Sequence, residues 1–241
     1  MKKEQYDMEG TAKFSEEKRK SITMDKNYTA VLFDLDGTIM DSGPGIMKSV
    51  QYALDHFDRP NEPEETLRKF VGPSLMDSFT HLYGMSEEDA TRAVELYREV
   101  YPTKGIFDAT PYKGIEEVFR TLQAEGRKLV LVTSKPHIFA ERILEHFGFT
   151  SYFCYQTGPE LDDHDSRKAR LIRKAMDALK FEKTECVMVG DRMFDIDGAV
   201  EAGIDSIGVT YGYGDRAELQ NAGATYIVDS PKEILSILQQ E

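Results

Sequence analysis

Short apolar runs alternate with segments of helical periodicity along most of the chain. Each run is apolar at nearly every position and ends in polar residues or glycine. Such a pattern is typical of strands that are buried on both faces of a parallel sheet. The predicted strands are 29–34, 128–133, 152–155, 185–190, 206–209 and 224–228.

Between these runs, apolar residues recur every three or four positions, as they do on one face of a helix. The stripes lie near 115–122, 139–147, 171–179 and 234–238. Strands that alternate with helices form βαβ units with right-handed crossovers. The pattern therefore predicts an α/β fold with a doubly wound, Rossmann-like parallel sheet as its core.

Residues 43–108 interrupt this alternation. Apolar residues recur there at helical spacing near 46–57, 75–82 and 90–97, and no strand-like run occurs between them. The simplest interpretation is an all-helical cap that is inserted after the first strand. Its two connections to the core would lie side by side and form a hinge, so that the cap can act as a lid.

The rest of the chain divides into a core and a tail. Residues 29–42 and 109–241 are predicted to form the α/β core around the cap. Residues 1–28 are rich in both basic and acidic side chains and lack a sustained apolar period. This composition predicts a disordered or frayed N-terminal tail.

Composition restricts the possible partners. The 241 residues include 30 Lys and Arg against 43 Asp and Glu, which gives a formal charge of −13. Nucleic acids and anionic membranes attract basic surfaces, so we expect no nucleic acid and no membrane as partner. No apolar run approaches the roughly 20 residues that span a bilayer. The two cysteines lie in apolar runs, which favours a cytoplasmic protein, and we expect a monomer or a homodimer.

Polar residues follow several of the predicted strands. The carboxyl ends of parallel strands share one edge of a sheet, where ligands bind in α/β proteins. We therefore expect these residues to meet there. They are Asp34, Asp36 and Gly37 after the first strand, Thr133 and Ser134 after the second, Asp191 and Asp195 after a later strand, and Lys168 at the start of a helix.

The four aspartates favour a metal site. Carboxylates gathered at one edge would repel one another and raise one another's pKa unless a cation lies among them. Mg²⁺ is a hard cation that binds carboxylate oxygens, water and substrate phosphate. A carboxylate can also attack phosphorus and form an aspartyl-phosphate, which divides hydrolysis into two easier steps.

The remaining residues of this edge fit a phosphoryl group. The hydroxyl of Thr133 and the ammonium of Lys168 would offset its negative charge. Backbone N–H groups near Gly37 and Ser134 would add further donors. Taken singly, each residue has an ordinary structural role, such as a turn at Asp36-Gly37 or a solvated helix position at Lys168. Their order along the chain favours a common site.

These segments resemble the four motifs of the haloacid dehalogenase superfamily, over about residues 29–239. The predicted cap is similar to the small helical cap of its phosphoglycolate phosphatase-like subfamily. The four resembling segments are Phe33-Asp34-Leu35-Asp36-Gly37-Thr38, Thr133-Ser134-Lys135-Pro136, Lys168, and Gly190-Asp191-Arg192 with Asp195.

The resemblance implies a Mg²⁺-dependent phosphatase that hydrolyses a small phosphorylated metabolite through an aspartyl-phosphate. It implies that Asp34 is the nucleophile. Asp36 would be the general acid and then the base, and its backbone carbonyl would contact the metal. The other implied roles are phosphoryl binding for Thr133 and Lys168, metal ligation for Asp191, and either ligation or support of a ligand for Asp195.

Alternatives remain at two points. The same chemistry would serve a 5'-nucleotidase or a pyrophosphatase, and a catalytically weak regulatory protein would keep the pocket only to bind a phosphorylated metabolite. At the third motif, Arg167, Arg170 or Lys174 are candidates in place of Lys168. Lys168 is favoured because it fits the helix start and the usual distance before the fourth motif.

Overall fold

The computed structural model describes residues 27–163 and 165–239 of the chain. In this part of the chain six strands form one parallel sheet, and two short strands form a separate antiparallel ribbon. The strands in chain order are β1 (Ala30–Phe33), β2 (Met40–Asp41), β3 (Thr110–Pro111), β4 (Lys128–Val132), β5 (Phe153–Thr157), β6 (Cys186–Gly190), β7 (Asp205–Val209) and β8 (Tyr226–Val228).

Helices connect these strands and cover the sheet. They are α1 (Gly43–Asp55), α2 (Glu64–Arg68), α3 (Leu75–Tyr83), α4 (Glu87–Val100), α5 (Ile115–Ala124), α6 (His137–His146), α7 (Lys168–Leu179), α8 (Met193–Ala202), α9 (Arg216–Asn221) and α10 (Pro231–Leu238). A π-helical turn (Tyr101–Gly105) follows α4, and single 3₁₀ turns precede β5 and β6.

Strand β1 lies at the centre of the sheet, whose order is β5-β4-β1-β6-β7-β8. Its side chains alternate between two apolar clusters: Val31 and Phe33 pack on one face, and Ala30 and Leu32 on the other. Because both faces are covered, every position of the strand is buried. The prediction of a doubly wound α/β fold is confirmed.

The helices α1 to α4 and the π-helical turn, here called the helical segment (43–105), lie between β2 and β3. These two strands pair with each other, Met40 opposite Pro111, so the chain enters and leaves the helical segment side by side. A Cβ atom on Gly45 would overlap the carbonyl oxygen of Gly105, so glycine allows α1 and the π-helical turn to touch. The start and end of the helical segment are thereby packed together, and its division from the core as a cap stays a prediction.

Three further predictions concern the N-terminal residues, the two cysteines and membrane-spanning segments. Residues 1–26 of the predicted tail lie outside the described residues, whereas Tyr28 is buried and its hydroxyl donates to Asp205 at 2.8 Å. Cys186 is buried, as its apolar run predicts, but Cys154 on the edge strand β5 is exposed, and both thiols are free. Among the described helices, none has the length and apolar character that a membrane crossing requires.

Candidate active site

Three buried aspartates meet at the carboxyl edge of the sheet. Asp34 follows β1 and Asp191 follows β6, and these strands are neighbours in the sheet, with Phe33 opposite Val189. Asp195 lies in the first turn of α8, directly beyond β6. One carboxylate oxygen from each aspartate lies within 4.8 Å of the other two. The parallel register thus gathers side chains that are more than 150 positions apart along the chain.

The ammonium group of Lys168 lies against this cluster. Its Nζ atom is 2.6 Å from Asp34 Oδ1 and 2.8 Å from Asp195 Oδ1. It also donates to the carbonyl oxygen of Val132 at 3.1 Å, which ties it to the end of β4. Lys168 is the first residue of α7 and is buried, so the helix start delivers a cation into the site.

The other candidates for the third motif have different surroundings. Arg167 is exposed and pairs with Asp165 at 2.8 Å, and Arg170 pairs with Asp163 at 2.7 Å. Lys174 is exposed on α7. These contacts favour Lys168 as the phosphoryl-binding cation, and its role stays a prediction.

Burial and neighbouring charges shift the pKa values of Asp34, Asp191 and Lys168. Burial raises the pKa of Asp34 to about 7; Lys168 opposes this rise, and the charge of Asp195 adds to it. Burial, together with the charges of Asp195 and Asp34, also raises the pKa of Asp191 well above its usual range. Burial alone would lower the pKa of Lys168, but the charges of Asp195 and Asp34 raise it. Lys168 therefore stays protonated, while Asp34 and Asp191 resist ionisation.

This balance fits a divalent cation. Three buried carboxylates face one ammonium group, so their full ionisation leaves an excess of negative charge. All of the offered donors are oxygen atoms, which a hard cation such as Mg²⁺ prefers. A cation among them would offset the repulsion that, after burial, raises the pKa values of Asp34 and Asp191. The donor set is therefore suited to Mg²⁺.

Asp191 is held by a close-fitting backbone. The backbone N–H of Tyr213 donates to its Oδ2 atom at 2.7 Å, and the hydroxyl of Thr38 donates to Oδ1 at 3.4 Å. Gly37 has a φ of +90°, and a Cβ atom there would overlap the Asp191 carboxylate. A Cβ atom on Gly212 would overlap both the Gly37 carbonyl oxygen and Asp191. The two glycines thus allow two loops to close around this carboxylate.

The second motif follows β4, which neighbours β1 in the sheet. Thr133 is buried, and its hydroxyl accepts the backbone N–H of Lys135 at 3.1 Å. The hydroxyl of Ser134 donates to the carbonyl oxygen of Ser166 at 3.2 Å, in the loop before α7. Both residues lie at the carboxyl edge of the sheet, and the hydroxyl of Ser134 is used within the loops there.

Asp36 lies apart from the three-aspartate cluster. Its Oδ2 atom is 2.9 Å from Lys135 Nζ, and its Oδ1 atom accepts a hydrogen bond from Ser42. Lys135 is buried and also donates to the hydroxyl of Tyr101 at 2.7 Å. Sequence reasoning assigned no role to Lys135 or Tyr101. The position of Lys135 just after a strand that ends at the carboxyl edge was the signal that could have identified it.

Arg192 joins this edge to the helical segment. It follows Asp191 directly, and its Nη1 atom donates to the carbonyl oxygen of Val71 at 2.8 Å. Its Nε atom donates to Glu218 at 2.8 Å, which anchors the guanidinium on the core. Sequence reasoning also missed this contact, because it joins positions 121 residues apart.

Fold and site define a class of protein: a doubly wound α/β enzyme with clustered aspartates and buried lysines where its parallel strands end. Such a site suits phosphoryl transfer, which needs positioning and charge neutralisation above all. The chain belongs to the haloacid dehalogenase-like hydrolases, whose family model matches residues 31–209. It is a phosphatase of this family.

Three known relatives align with most of this chain, and two of them are named as phosphatases or nucleotidases. A 5'-nucleotidase from Pseudomonas aeruginosa is 39% identical over 193 residues, which cover 80% of this chain and 87% of the relative. A phosphoglycolate phosphatase from Vibrio parahaemolyticus is 29% identical over 216 residues, 86% of this chain and 95% of the relative. The tyrosine-protein kinase PtkA from Mycobacterium tuberculosis is 33% identical over 210 residues, 87% of this chain and 71% of the relative.

A solved structure extends the likeness to the whole fold. The crystal structure of a predicted phosphatase from Clostridium acetobutylicum superposes with a TM-score of 0.86 at 46% identity, covering 88% of this chain and 99% of that chain. The predictions of the family, the α/β fold and the phosphatase class are confirmed.

Proposed function

We propose that this protein is a Mg²⁺-dependent phosphomonoesterase that hydrolyses a small phosphorylated metabolite through an aspartyl-phosphate on Asp34. One observation carries the proposal: a buried carboxylate at the end of the central strand lies 2.6 Å from a buried ammonium group, with two more carboxylates beside it. This arrangement presents a nucleophile and a phosphoryl-binding cation together.

In the first step, a carboxylate oxygen of Asp34 attacks phosphorus and forms a new O–P bond. The bond from phosphorus to the leaving oxygen breaks, and the carboxyl group of Asp36 gives its proton to that oxygen. The ammonium of Lys168 and the hydroxyl of Thr133 offset the charge of the phosphoryl oxygens. The alcohol product then leaves, and the phosphoryl group remains on Asp34.

In the second step, the carboxylate of Asp36 takes a proton from water. The water oxygen attacks phosphorus, the bond to Asp34 breaks, and inorganic phosphate is released. Asp34 is then free again, and Asp36 carries the proton for the next cycle. One residue thus serves as acid and then as base, which requires that its carboxyl group be held close to the reacting oxygens.

The carboxylates of Asp34, Asp191 and Asp195, with the backbone carbonyl of Asp36, would hold Mg²⁺. When bound, the ion supplies positive charge that offsets the charge of the phosphoryl group. Asp195 already pairs with Lys168 at 2.8 Å and accepts the backbone N–H of Arg192 at 3.1 Å. These contacts support a role in which it is either a ligand or fixes the groups around the ligands.

The relatives indicate two substrate classes. A small phosphorylated acid resembling phosphoglycolate is supported by the phosphoglycolate phosphatase, which aligns along 95% of its own length. A nucleoside 5'-monophosphate is the second candidate, because the 5'-nucleotidase has the higher identity, 39%. Both are small phosphate esters, whose binding the overall charge of −13 allows when the site itself is neutralised by Mg²⁺ and Lys168.

The proposal is tested with p-nitrophenyl phosphate, with and without Mg²⁺. We expect turnover that requires Mg²⁺ and that falls at least about 10³-fold in Asp34→Asn, because the amide is no nucleophile. Asp177→Asn, a change of an exposed aspartate on α7, is the matched control and should keep full activity. Equal activity in Asp34→Asn and the wild type would overturn the proposal.

The substrate class is then resolved by phosphate release from phosphoglycolate, sugar phosphates, nucleoside 5'-monophosphates and pyrophosphate. A marked preference among the nucleotides would select the second candidate. Binding of these compounds without any turnover would instead favour a regulatory protein.

A further inference from the structure

A second buried ammonium group lies at the carboxyl edge of the sheet, and the proposed mechanism does not use it. Lys135 pairs with Asp36 Oδ2 at 2.9 Å and donates to the hydroxyl of Tyr101 at 2.7 Å. Its side chain is 5% exposed, so the charge is almost fully removed from water. A buried charge is tolerated when partners surround it, and here the partners are the predicted acid and one tyrosine.

Tyr101 is itself fixed from two sides. Its ring stacks on Tyr97 of α4 with the centroids 4.9 Å apart, and it meets Phe139 of α6 edge-on at 5.6 Å. The Lys135 ammonium also lies 4.8 Å from the centre of the Tyr101 ring. Tyr101 opens the π-helical turn, a rare geometry that occurs often at functional sites. The hydroxyl that holds Lys135 therefore has little freedom to move.

Lys135 limits the freedom of Asp36 in the same way. The terminal torsion of an aspartate is broad, so an unrestrained carboxyl group samples many orientations. A general acid must lie about 2.6–3.2 Å from the oxygen that receives its proton. With Ser42 on one oxygen and Lys135 on the other, the plane of the Asp36 carboxyl group is fixed.

We infer that Lys135 and Tyr101 are positioning residues for Asp36: Tyr101 holds the Lys135 ammonium, and Lys135 fixes the carboxyl group that transfers the proton to the leaving oxygen. This inference rests on the proposed function, because it assigns the pair to one step of that reaction. Tyr101 belongs to the helical segment and Asp36 to the core. The contact through Lys135 therefore makes this step depend on the position of the helical segment relative to the core.

A positioning role for Lys135 and Tyr101 predicts an effect that depends on the leaving group, which a merely structural role would not produce. Loss of correct proton transfer matters most when the leaving oxygen is strongly basic, because such an oxygen cannot depart without a proton. p-Nitrophenolate is weakly basic and departs without one, whereas phenolate is more basic and profits from the acid. The two aryl phosphates have similar shapes, so they separate proton transfer from binding.

The test compares kcat/KM for phenyl phosphate and p-nitrophenyl phosphate, since kcat/KM covers only the steps up to departure of the alcohol. For Lys135→Met, which keeps the length of the side chain, we expect about a 100-fold loss with phenyl phosphate and less than about a 5-fold loss with p-nitrophenyl phosphate. Tyr101→Phe removes one oxygen atom and should show the same selectivity with a smaller effect. We expect about a 5-fold loss of kcat/KM with phenyl phosphate and no loss with p-nitrophenyl phosphate. Lys174→Met, at an exposed position of α7, should leave both values unchanged.

Each outcome decides the question. Equal losses on both substrates, or no loss on either, would overturn the inference. If Lys135→Met does not fold, Tyr101→Phe alone decides by the same ratio of losses. A wild-type protein that hydrolyses neither ester overturns the proposed function and the inference with it, whereas an active wild type with an unselective Lys135→Met overturns only the inference.

Discussion

Two buried lysine–aspartate pairs lie at the same edge of the sheet and differ in what holds them. Lys168 contacts Asp34 and Asp195 and belongs with them to the βα units of the sheet. Lys135 contacts Asp36 and is held by Tyr101, at the end of the helical segment. The first group is thus held within the strands and helices of the core, and the second links the core to the inserted helices.

This difference divides the chemistry in two. The Lys168 pair lies where the phosphoryl group would bind, a group that every substrate of the enzyme shares. The Lys135 pair includes Asp36, the proposed acid for the leaving group, which is the part that varies between substrates. On the proposed mechanism, the βα units of the core bind the common part of the substrate, and the contact between the inserted helices and the core acts on the variable part.

The largest effect is expected on the Lys168 side. Lys168→Ala should lower kcat/KM about 10³-fold on every phosphate ester, because it removes the cation beside the phosphoryl group. Steady-state assays with both aryl phosphates measure this loss. Arg167→Ala and Lys174→Ala should stay within about twofold of the wild type, since both residues are exposed. Similar losses in all three variants would contradict the assignment of Lys168.

The next effect concerns the backbone that surrounds Asp191. Gly212→Ala should push the Gly37 carbonyl and Asp191 apart, lower activity about 100-fold and destabilise the fold by about 1–3 kcal/mol. Activity against Mg²⁺ concentration and chemical unfolding measure the two quantities. Gly84→Ala, which meets no atom within 4 Å, should cost stability through its positive φ but keep kcat. Wild-type Mg²⁺ dependence in Gly212→Ala would count against this account of the aspartate cluster.

A third variant distinguishes the contact that positions Asp36 from the contact that attaches the helical segment to the core. Arg192→Ala removes the hydrogen bond to Val71 and should raise KM about tenfold, the size expected from a hydrogen bond to a charged group. Unlike Lys135→Met, it should leave the ratio of the two aryl phosphate activities unchanged. Arg173→Ala breaks an exposed pair with Glu201 within the core and serves as the control. If Arg192→Ala also changed the ratio of the two aryl phosphate activities, the contacts of Arg192 and Lys135 would not have the different roles assigned to them.

The smallest effect is a pH dependence of stability. In the metal-free protein, burial raises the pKa of Asp34 to about 7, above its value in the unfolded chain. The stability from protonated Asp34 is present below the unfolded pKa and is lost as pH rises toward 7. The increase in Tm caused by Mg²⁺ should therefore grow by a few degrees from pH 5 to pH 8. Asp34→Asn should weaken this trend, and Lys135→Met should keep it. Thermal melts with EDTA or with Mg²⁺ measure the increase in Tm. An increase that is the same at pH 5 and pH 8 would contradict this account.

Much of this architecture was predictable because it depends on local patterns. The apolar run at 29–34 required burial on both faces, and the aspartates after it had to reach the carboxyl edge of the sheet. The strand and the aspartates need only periodicity and the parallel order of the strands. The choice of Lys168 needed in addition the distance before the fourth motif that the family resemblance implies.

Contacts between the helical segment and the core were not predictable in the same way. Tyr101 and Lys135 meet only because a π-helical turn and the packing of Gly45 on Gly105 bring the end of the helical segment to Asp36. No periodic pattern of apolar residues in the sequence predicts this contact. The antiparallel ribbon of β2 and β3 is likewise too short to appear as a strand pattern. Sequence patterns thus predicted the aspartates and Lys168, but not the residues that hold Asp36.

The central claim, that Asp34 receives the phosphoryl group, is tested most directly by trapping the intermediate. The enzyme is mixed with p-nitrophenyl phosphate and Mg²⁺, quenched in acid and mapped by peptide mass spectrometry. The account predicts one added phosphoryl group on the peptide that contains Asp34, absent from Asp34→Asn and absent without Mg²⁺. A phosphoryl group on another residue, or full turnover with Asp34 never modified, would contradict it.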